Sequence, residues 1–120
     1  RVMSLDPSLP SADPNELRRR ASSGGLRGVV LGALDLRAID LSGADLAGAR
    51  FEDCVLEGCN LSGATLVSVV FTRCDLRKAR LNDVKATGAT FLGCDLRQAV
   101  ASRADLSGAT LDRVLSATDD

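Results

Sequence analysis

Four cysteines, Cys54, Cys59, Cys74 and Cys94, are the side chains of this sequence with the widest possible chemistry. Cysteine can ligate zinc, form disulfides or act as a nucleophile, and each role needs a particular set of neighbours. The intervals between them are five, fifteen and twenty residues, no C-x-x-C motif occurs, and the sequence contains no histidine. A zinc site is therefore not expected. We expect free thiols that pack as small apolar side chains, which suits a reducing compartment and predicts a cytoplasmic location.

Carboxylates are the second candidate for chemistry, because three aspartates each precede an arginine by two residues. These pairs are Asp35 with Arg37, Asp75 with Arg77, and Asp95 with Arg97. Carboxylates that act as acid or base need a cleft and a shifted pKa. The pattern is explained more simply by ion pairs between successive repeats on a flat surface. We expect no catalytic residue, no metal, no cofactor and no small-molecule substrate, and so not an enzyme.

The composition limits the class of protein further. The 120 residues are enough for one domain, and they are 45% apolar, yet only three are aromatic, all Phe. Fifteen basic against sixteen acidic residues leave almost no net charge, so direct DNA binding is not expected. The longest apolar run is too short to span a bilayer, and we expect no membrane association. Because the chain starts at Arg1, we expect that it is one module of a larger protein.

The elements that position all these residues follow from an internal period of five. Every fifth residue from Leu26 to Leu111 is Leu or Phe, except Ala86 and Ala101. Five matches neither the 3.6-residue period of a helix nor the two-residue period of a strand, so it indicates a coil with regularly spaced inward side chains. The predicted core at these centre positions is Leu26, Leu31, Leu36, Leu41, Leu46, Phe51, Leu56, Leu61, Leu66, Phe71, Leu76, Leu81, Phe91, Leu96, Leu106 and Leu111.

A second inward position lies two residues before each centre. It is always small or apolar, and it contains all four cysteines. The last position of each five-residue unit holds eight of the eleven glycines, and glycine accepts the positive φ that a tight turn demands. Each unit is therefore a short extended step followed by a corner.

Four units complete one coil, because the landmarks recur every twenty residues. Phe51, Phe71 and Phe91 keep this spacing, and so do Cys54, Cys74 and Cys94. The fold class predicted is an all-β solenoid with four sides and about 4.5 coils, in which the three Phe rings stack in one column. A disulfide between the stacked Cys74 and Cys94 is an alternative to free thiols, although parallel side chains in adjacent coils are poorly oriented for it.

Several units, such as Ala44-Asp45-Leu46, Cys59-Asn60-Leu61-Ser62-Gly63 and Ala104-Asp105-Leu106-Ser107-Gly108, carry a common motif. They resemble the A-(D/N)-L-x-x signature of the pentapeptide-repeat family. The resemblance covers about three quarters of the chain. It implies a right-handed quadrilateral β-helix. It also brings in the activity best known in this family, inhibition or protection of DNA gyrase and topoisomerase IV by mimicry of duplex DNA.

The expected domain organisation has three parts. Residues 1–23 form an irregular leader and a capping helix that begins at Asp13-Pro14-Asn15-Glu16, residues 24–113 form the β-helix, and residues 114–120 form a short tail. A solenoid exposes its last coil unless something covers it. We therefore predict that the last coil, with Val114 and Leu115, is covered either by a second copy in an end-to-end homodimer or by further residues of a longer chain.

Three functions are weighed for such a rod: a protein-interaction scaffold, a topoisomerase-binding DNA mimic, and a rigid spacer. A DNA mimic needs a strongly negative surface, but acidic and basic residues balance on every predicted side. The scaffold is preferred, with a protein partner that the sequence does not identify. Its candidate interaction surface combines outward apolar and basic residues, namely Val30, Val70, Leu92, Arg73, Arg77, Lys78 and Arg80. We also predict that residues 84–101, which contain the two Ala centres, are the softest part of the rod.

Overall fold

The computed structural model describes residues 13–116, which form one helix followed by a parallel β-solenoid. The helix is α1, Pro14–Ser22. The strands are β1 (Val30–Gly32), β2 (Arg50–Glu52), β3 (Val70–Thr72), β4 (Thr90–Leu92) and β5 (Thr110–Asp112). They pair in sequence order in one parallel sheet, and every residue pairs with the residue twenty positions later. The predicted twenty-residue coil is therefore confirmed.

The other three sides of the coil are held by isolated parallel bridges in the same register. Asp75 bridges Asp95 on one side, Asn60 bridges Arg80 on the next, and Thr65 bridges Lys85 on the last. Between coils, backbone N–H groups donate to carbonyls nineteen residues later or twenty-one residues earlier. The N–H of Leu36 donates to Val55 at 2.8 Å, for example, and that of Arg50 to Val29 at 2.9 Å. The all-β solenoid with four sides and a little more than four coils agrees with the prediction.

The interior is filled by the two inward positions of each unit. From Leu26 to Phe91 every centre residue is buried, and Ala86 is as inaccessible as its Leu neighbours. The rings of Phe51 and Phe71 stack with centroids 4.9 Å apart, and those of Phe71 and Phe91 with centroids 5.2 Å apart. No charged or polar residue among those described is buried, so the core is entirely apolar.

Three predicted core residues of the last coil are not buried in this way. Leu106 is 41% exposed and Leu111 is 54% exposed, while Leu96 is only partly buried. The expectation of burial was wrong for Leu106 and Leu111. Both side chains face the axis as the repeat requires, but no further coil in the described residues lies over them. An inward direction therefore does not amount to burial at the end of a rod.

Each corner is a tight turn. It depends on the last residue of the five-residue unit and also on the polar residue just before the centre. In the unit around Leu46, the N–H of Ala49 donates to the carbonyl of Leu46 at 2.9 Å, and Gly48 between them has φ of 72°. The Asp45 carboxylate accepts the N–H of Ala47 at 3.2 Å, an Asx turn that Asn60 repeats with Ser62. A short oxygen-bearing side chain before the centre therefore stabilises the corner, which explains the Asp/Asn of the motif.

Non-glycine residues also adopt the left-handed conformation at these corners, which the glycine pattern did not predict. Nine of them have positive φ, Arg73 at 52° and Lys78 at 61° among them. This conformation costs an L-residue about 1 kcal/mol. The hydrogen bonds between coils impose the same turn whatever side chain is present.

The helix α1 covers the first coil as predicted. Asp13 is its N-cap and accepts the N–H of Asn15 at 3.0 Å, and Pro14 occupies the first turn. Leu17 and Ala21 are buried, and the Ala21 carbonyl accepts the N–H of Asp45 at the start of the second coil. The predicted leader, residues 1–12, and the last four residues lie outside the described part. At the other end Leu115 bridges Asp95, so the coil continues beyond the predicted boundary at residue 113.

Candidate interaction surfaces

The sheet side of the rod, formed by β1 to β5, contains the predicted apolar contact residues. Val30 and Val70 occupy one column and are both half-buried, but Arg50 lies between them in the same column. Leu92 lies in another column of this side and is paired with Thr72. Val70 and Leu92 therefore lie diagonally on the adjacent strands β3 and β4, two residues apart along the sheet, and the strand β2 separates Val30 from Val70.

The four predicted basic residues do not form a single cluster. Arg73 is at a corner and makes a bidentate ion pair with Asp53 of the preceding coil, at 2.8 and 3.0 Å. Arg77 is on the next side, and Arg80 bridges Asn60 and Val100 on the side after that. Within residues 13–116, Lys78 and Arg80 make no ion pair. The predicted basic patch is therefore spread over three sides, and only its Lys78 and Arg80 charges are not already neutralised by a neighbour.

The Asp–Arg pairs form mainly inside one unit, whereas the sequence pattern was interpreted as pairing between coils. Arg77 contacts Asp75 of its own unit at 2.7 Å, and reaches Glu57 and Asp95 of the neighbouring coils only at 3.8 and 3.9 Å. The guanidinium bonds lower the pKa of the Asp75 carboxyl, and at the equivalent position Arg37 lowers the pKa of Asp35 to about 2. These carboxylates are ionised, paired and at the surface, so they are not set up to exchange protons near neutral pH.

The four cysteines are free thiols in the interior. Cys54, Cys74 and Cys94 stack in one column, and each thiol donates to a backbone carbonyl 23 residues earlier, at 3.2 to 3.3 Å. Burial raises the pKa of the Cys59 thiol to about 12, and contact with the neighbouring thiols together with burial raises the pKa of Cys74. The hydrogen bond with Cys74 has the opposite effect on its neighbours, because it lowers the pKa of Cys54 and lowers that of Cys94 to about 7. All four thiols are nevertheless buried, so they are shielded from reagents in water. They serve as small core side chains.

The open C-terminal end of the rod, within residues 13–116, exposes two large apolar residues, Leu106 and Leu111. We define it by the centre residues of the last coil, Leu96, Ala101, Leu106 and Leu111. Ala101 stands where a centre Leu is usual, and it is one of the residues that line a hollow of about 200 Å³, which reaches Leu81 and Phe91 of the coil below. This volume exceeds the ~150 Å³ of a protein cavity that admits benzene. The open end therefore has room for a large apolar side chain.

The residues predicted from the sequence to form the contact at this end were Val114 and Leu115. Val114 is inward and packs on the core, but Leu115 continues the outward column of Asp75 and Asp95, so it lies on the side of the rod. Leu106 and Leu111, which were assigned to the core, are instead the large apolar residues of the end. The repeat within one unit could not show this difference, because it depends on whether a further coil lies over the inward positions of the last described coil.

Two absences are reported for the described part of the chain. Residues 13–116 contain no group of three or more Cys, Asp or Glu side chains arranged to hold a metal ion. The nine-residue α1 is their only helix, and it is too short and too polar to cross a membrane.

The pattern of coils, corners and Asx turns is that of one protein family. The sequence model of pentapeptide repeats (8 copies) matches residues 26–63, 35–73, 54–91 and 79–115. These matches extend over three quarters of the chain, and the protein belongs to the pentapeptide-repeat family. A search of curated protein sequences finds no significant match.

Solved structures with the same fold include QnrB1, a plasmid-mediated fluoroquinolone resistance protein. A trypsin-treated variant of QnrB1 matches with 28% identity and a TM-score of 0.68, over 74% of this chain and 46% of that one. A pentapeptide-repeat protein from the Arabidopsis thaliana thylakoid lumen matches with 22% identity and a TM-score of 0.49, over 72% of this chain and 63% of that one. The chain thus spans about half the length of the trypsin-treated QnrB1 chain that it matches.

Proposed function

We propose that the protein is a non-catalytic interaction scaffold that presents fixed rows of side chains on a rigid rod to a protein partner. The observation that carries this proposal is the placement of Val70 and Leu92 on adjacent strands of the sheet side, next to the paired Arg73. Outward side chains at other positions of this side are mostly polar or charged. An apolar pair on a surface that cannot rearrange is a suitable contact for a partner, because little conformational entropy is lost on binding.

The proposal of a role without catalysis rests on the state of the interior, the carboxylates and the thiols. Between Leu26 and Phe91 the interior is filled, the carboxylates of Asp35, Asp75 and Asp95 are paired with arginines, and the thiols are buried, which supports a role without catalysis. The absence of Tyr and Trp removes two of the residues most common at binding hot spots. Leu92 is therefore the residue on which binding should depend most. A cytoplasmic location is part of the proposal, because free cysteines suit a reducing compartment.

Affinity purification with a pair of matched variants tests the scaffold. Leu92→Asp charges the proposed contact, and Val67→Asp charges an exposed valine on a different side of the rod. A partner recovered by the wild type and by Val67→Asp should be lost with Leu92→Asp. Equal recovery by all three chains would rule out the sheet side as the contact, and failure to recover any partner would favour a rigid spacer.

The similarity to QnrB1 favours a second candidate, a role in fluoroquinolone resistance through binding to DNA gyrase or topoisomerase IV. Mimicry of DNA by this chain would require an acidic side. Arg37, Arg77 and Arg97 instead neutralise the aspartate column beside them. A gyrase supercoiling assay, with and without a fluoroquinolone, separates the two candidates. Inhibition or protection at micromolar protein would establish the second function, and no effect would exclude it.

A further inference from the structure

Three consecutive arginines of α1, Arg18, Arg19 and Arg20, come shortly before two serines at the end of the helix, Ser22 and Ser23. Arg19 and Arg20 lie three and two residues before Ser22. Protein kinases with an acidic substrate groove select this spacing, because each guanidinium pairs with a carboxylate of the groove. The run of arginines lies outside the sheet side of the rod, so the contact proposed for the scaffold does not account for it.

Of the two serines, Ser22 is the one whose hydroxyl is available to a kinase. Ser22 is exposed, and within residues 13–116 its hydroxyl makes no hydrogen bond. Ser23 instead closes the helix: its N–H donates to the carbonyl of Arg19 at 3.2 Å, and its hydroxyl donates to the carbonyl of Arg20 at 3.2 Å. Phosphate transfer to Ser23 would break the second of these bonds, so Ser22 is the better acceptor.

Kinases bind their substrates as extended chains, so the last turn of α1 has to unwind before phosphate transfer. A helix of nine residues is too short to be stable on its own, and its ends open most easily. Among residues 19–22 only Ala21 is buried, and its carbonyl accepts the N–H of Asp45 through a long bond of 3.3 Å. Gly24, with φ of 82°, and Gly25 follow as a flexible connection. Unwinding of the last turn therefore breaks few contacts.

We propose that Ser22 is a phosphorylation site for a serine kinase that selects preceding arginines, with ATP as the phosphate donor. The Ser22 oxygen forms a bond to the γ-phosphorus of ATP while the bond from this phosphorus to ADP breaks, and the hydroxyl proton passes to the catalytic aspartate of the kinase. The product carries close to two negative charges in the last turn of α1. Because this is the negative end of the helix dipole, the phosphate is stable there only with cations beside it.

The cations nearest to Ser22 along the helix surface are Arg18 and Arg19, one turn earlier. In the unmodified chain Arg18 joins the cap to the first coil, since its guanidinium donates to the carbonyl of Asp40 and lies 3.2 Å from the Asp40 carboxylate. Arg19 pairs within α1, with Glu16 at 2.7 Å. A phosphate has more charge and more acceptor oxygens than a carboxylate, so it should take Arg18 from Asp40. Phosphorylation should therefore loosen the cap on the first coil.

Phosphorylation of the 120-residue chain in vitro tests the site. The chain is incubated with ATP, Mg²⁺ and the catalytic subunit of cAMP-dependent protein kinase, which selects arginines at this spacing, and its mass is then measured. The wild type should gain one phosphate. Ser22→Ala should gain none, and the matched control Ser23→Ala should gain one as the wild type does. No gain by the wild type, or an equal gain by Ser22→Ala, would overturn the assignment of Ser22.

Hydrogen exchange of the phosphorylated chain tests the effect on the cap. The phosphate should speed exchange in the first coil about two- to fivefold, as expected for the loss of one exposed ion pair, and leave the coil of Phe71 unchanged. Arg18→Gln keeps Arg19 and Arg20, so it should still accept the phosphate. Its first coil should already exchange faster and should change no further. No acceleration in the wild type, or the same acceleration in Arg18→Gln, would overturn the transfer of Arg18 to the phosphate.

Discussion

The two ends of the rod are built from the same repeat, yet one belongs to the core and the other does not. Leu26 and Leu106 occupy the same column, four coils apart, and both point toward the axis. Leu26 is 1% exposed beneath α1, whereas Leu106 is 41% exposed. The difference arises from the layer above each residue and not from the residue itself. In a solenoid, stability is supplied by contacts between neighbouring layers, so a terminal layer contributes about half of what an inner layer does.

The largest expected effect on stability comes from replacing the centre leucine of this column by alanine, and it should differ between the two ends of the rod. Leu26→Ala should lower the free energy of unfolding by about 3 kcal/mol, because it leaves a cavity in a fully packed layer. Leu106→Ala should cost about 1 kcal/mol or less, since its side chain already contacts water. Urea denaturation followed by circular dichroism measures both. Equal losses would show that the open end is covered in solution.

The capping helix itself should have the next largest effect. Leu17→Ala removes the main apolar contact of α1 and should cost about 2 kcal/mol. Asp13→Ala removes the N-cap and should cost about 1 kcal/mol. Hydrogen exchange locates the change, because protection should fall first in the coil that contains Leu26 and remain in the coil of Phe71. Uniform loss of protection along the rod would contradict independent layers.

A larger side chain in the hollow should bury more apolar surface at the open end and so increase the stability of its last coil. Ala101→Leu restores a centre side chain and buries additional apolar surface of Leu81 and Phe91, which should raise stability by about 1 kcal/mol. Thermal melting detects this as a higher midpoint. The same substitution at Ala86, which is already inaccessible, should lower the midpoint because a larger side chain overpacks the layer.

The smallest expected effect is the loss of stability at low pH, which should come from the ion pairs on the sides of the rod and not from its ends. Because Arg37 holds the pKa of Asp35 near 2, its ionised form stabilises the fold above about pH 4, and this contribution is lost as the pH falls toward 2. The pair is exposed, so its contribution should remain below about 1 kcal/mol. Asp35→Asn should melt slightly below the wild type at pH 6, and the difference should fall to a small remainder at pH 2, where the Asp35 carboxyl is about half protonated. A difference that stays constant with pH would mean that the charge contributes nothing.

Most of the fold could be predicted because one local rule repeats without a slip. The period of five gave the inward residues, and the twenty-residue spacing of Phe51, Phe71 and Phe91 gave the coil. The rule describes a residue by its own unit, so it could not distinguish Leu106 from Leu26. It also missed the left-handed corners at Arg73 and Lys78, because the hydrogen bonds between coils impose that conformation.

The candidate surfaces were harder to predict for the same reason. Val70 and Leu92 were correctly placed on one side, since the register of twenty determines columns. Which charges remain available depends on side-chain reach, and Arg73 was paired with Asp53 while Lys78 was not. The hollow at Ala101 depended on whether a further layer lies above it, which no local pattern contains.

The constant register between coils has a consequence for how such a chain can change in length. Each residue is paired with the residue twenty positions on, and each unit of five occupies one side. Loss of twenty residues would remove one whole coil and leave every remaining column aligned. Loss of five would turn all later units by a quarter of the circumference, so that Leu92 would face a new direction while its neighbours stayed as well packed. Insertions and deletions of single units can thus redirect a recognition surface without disturbing the core.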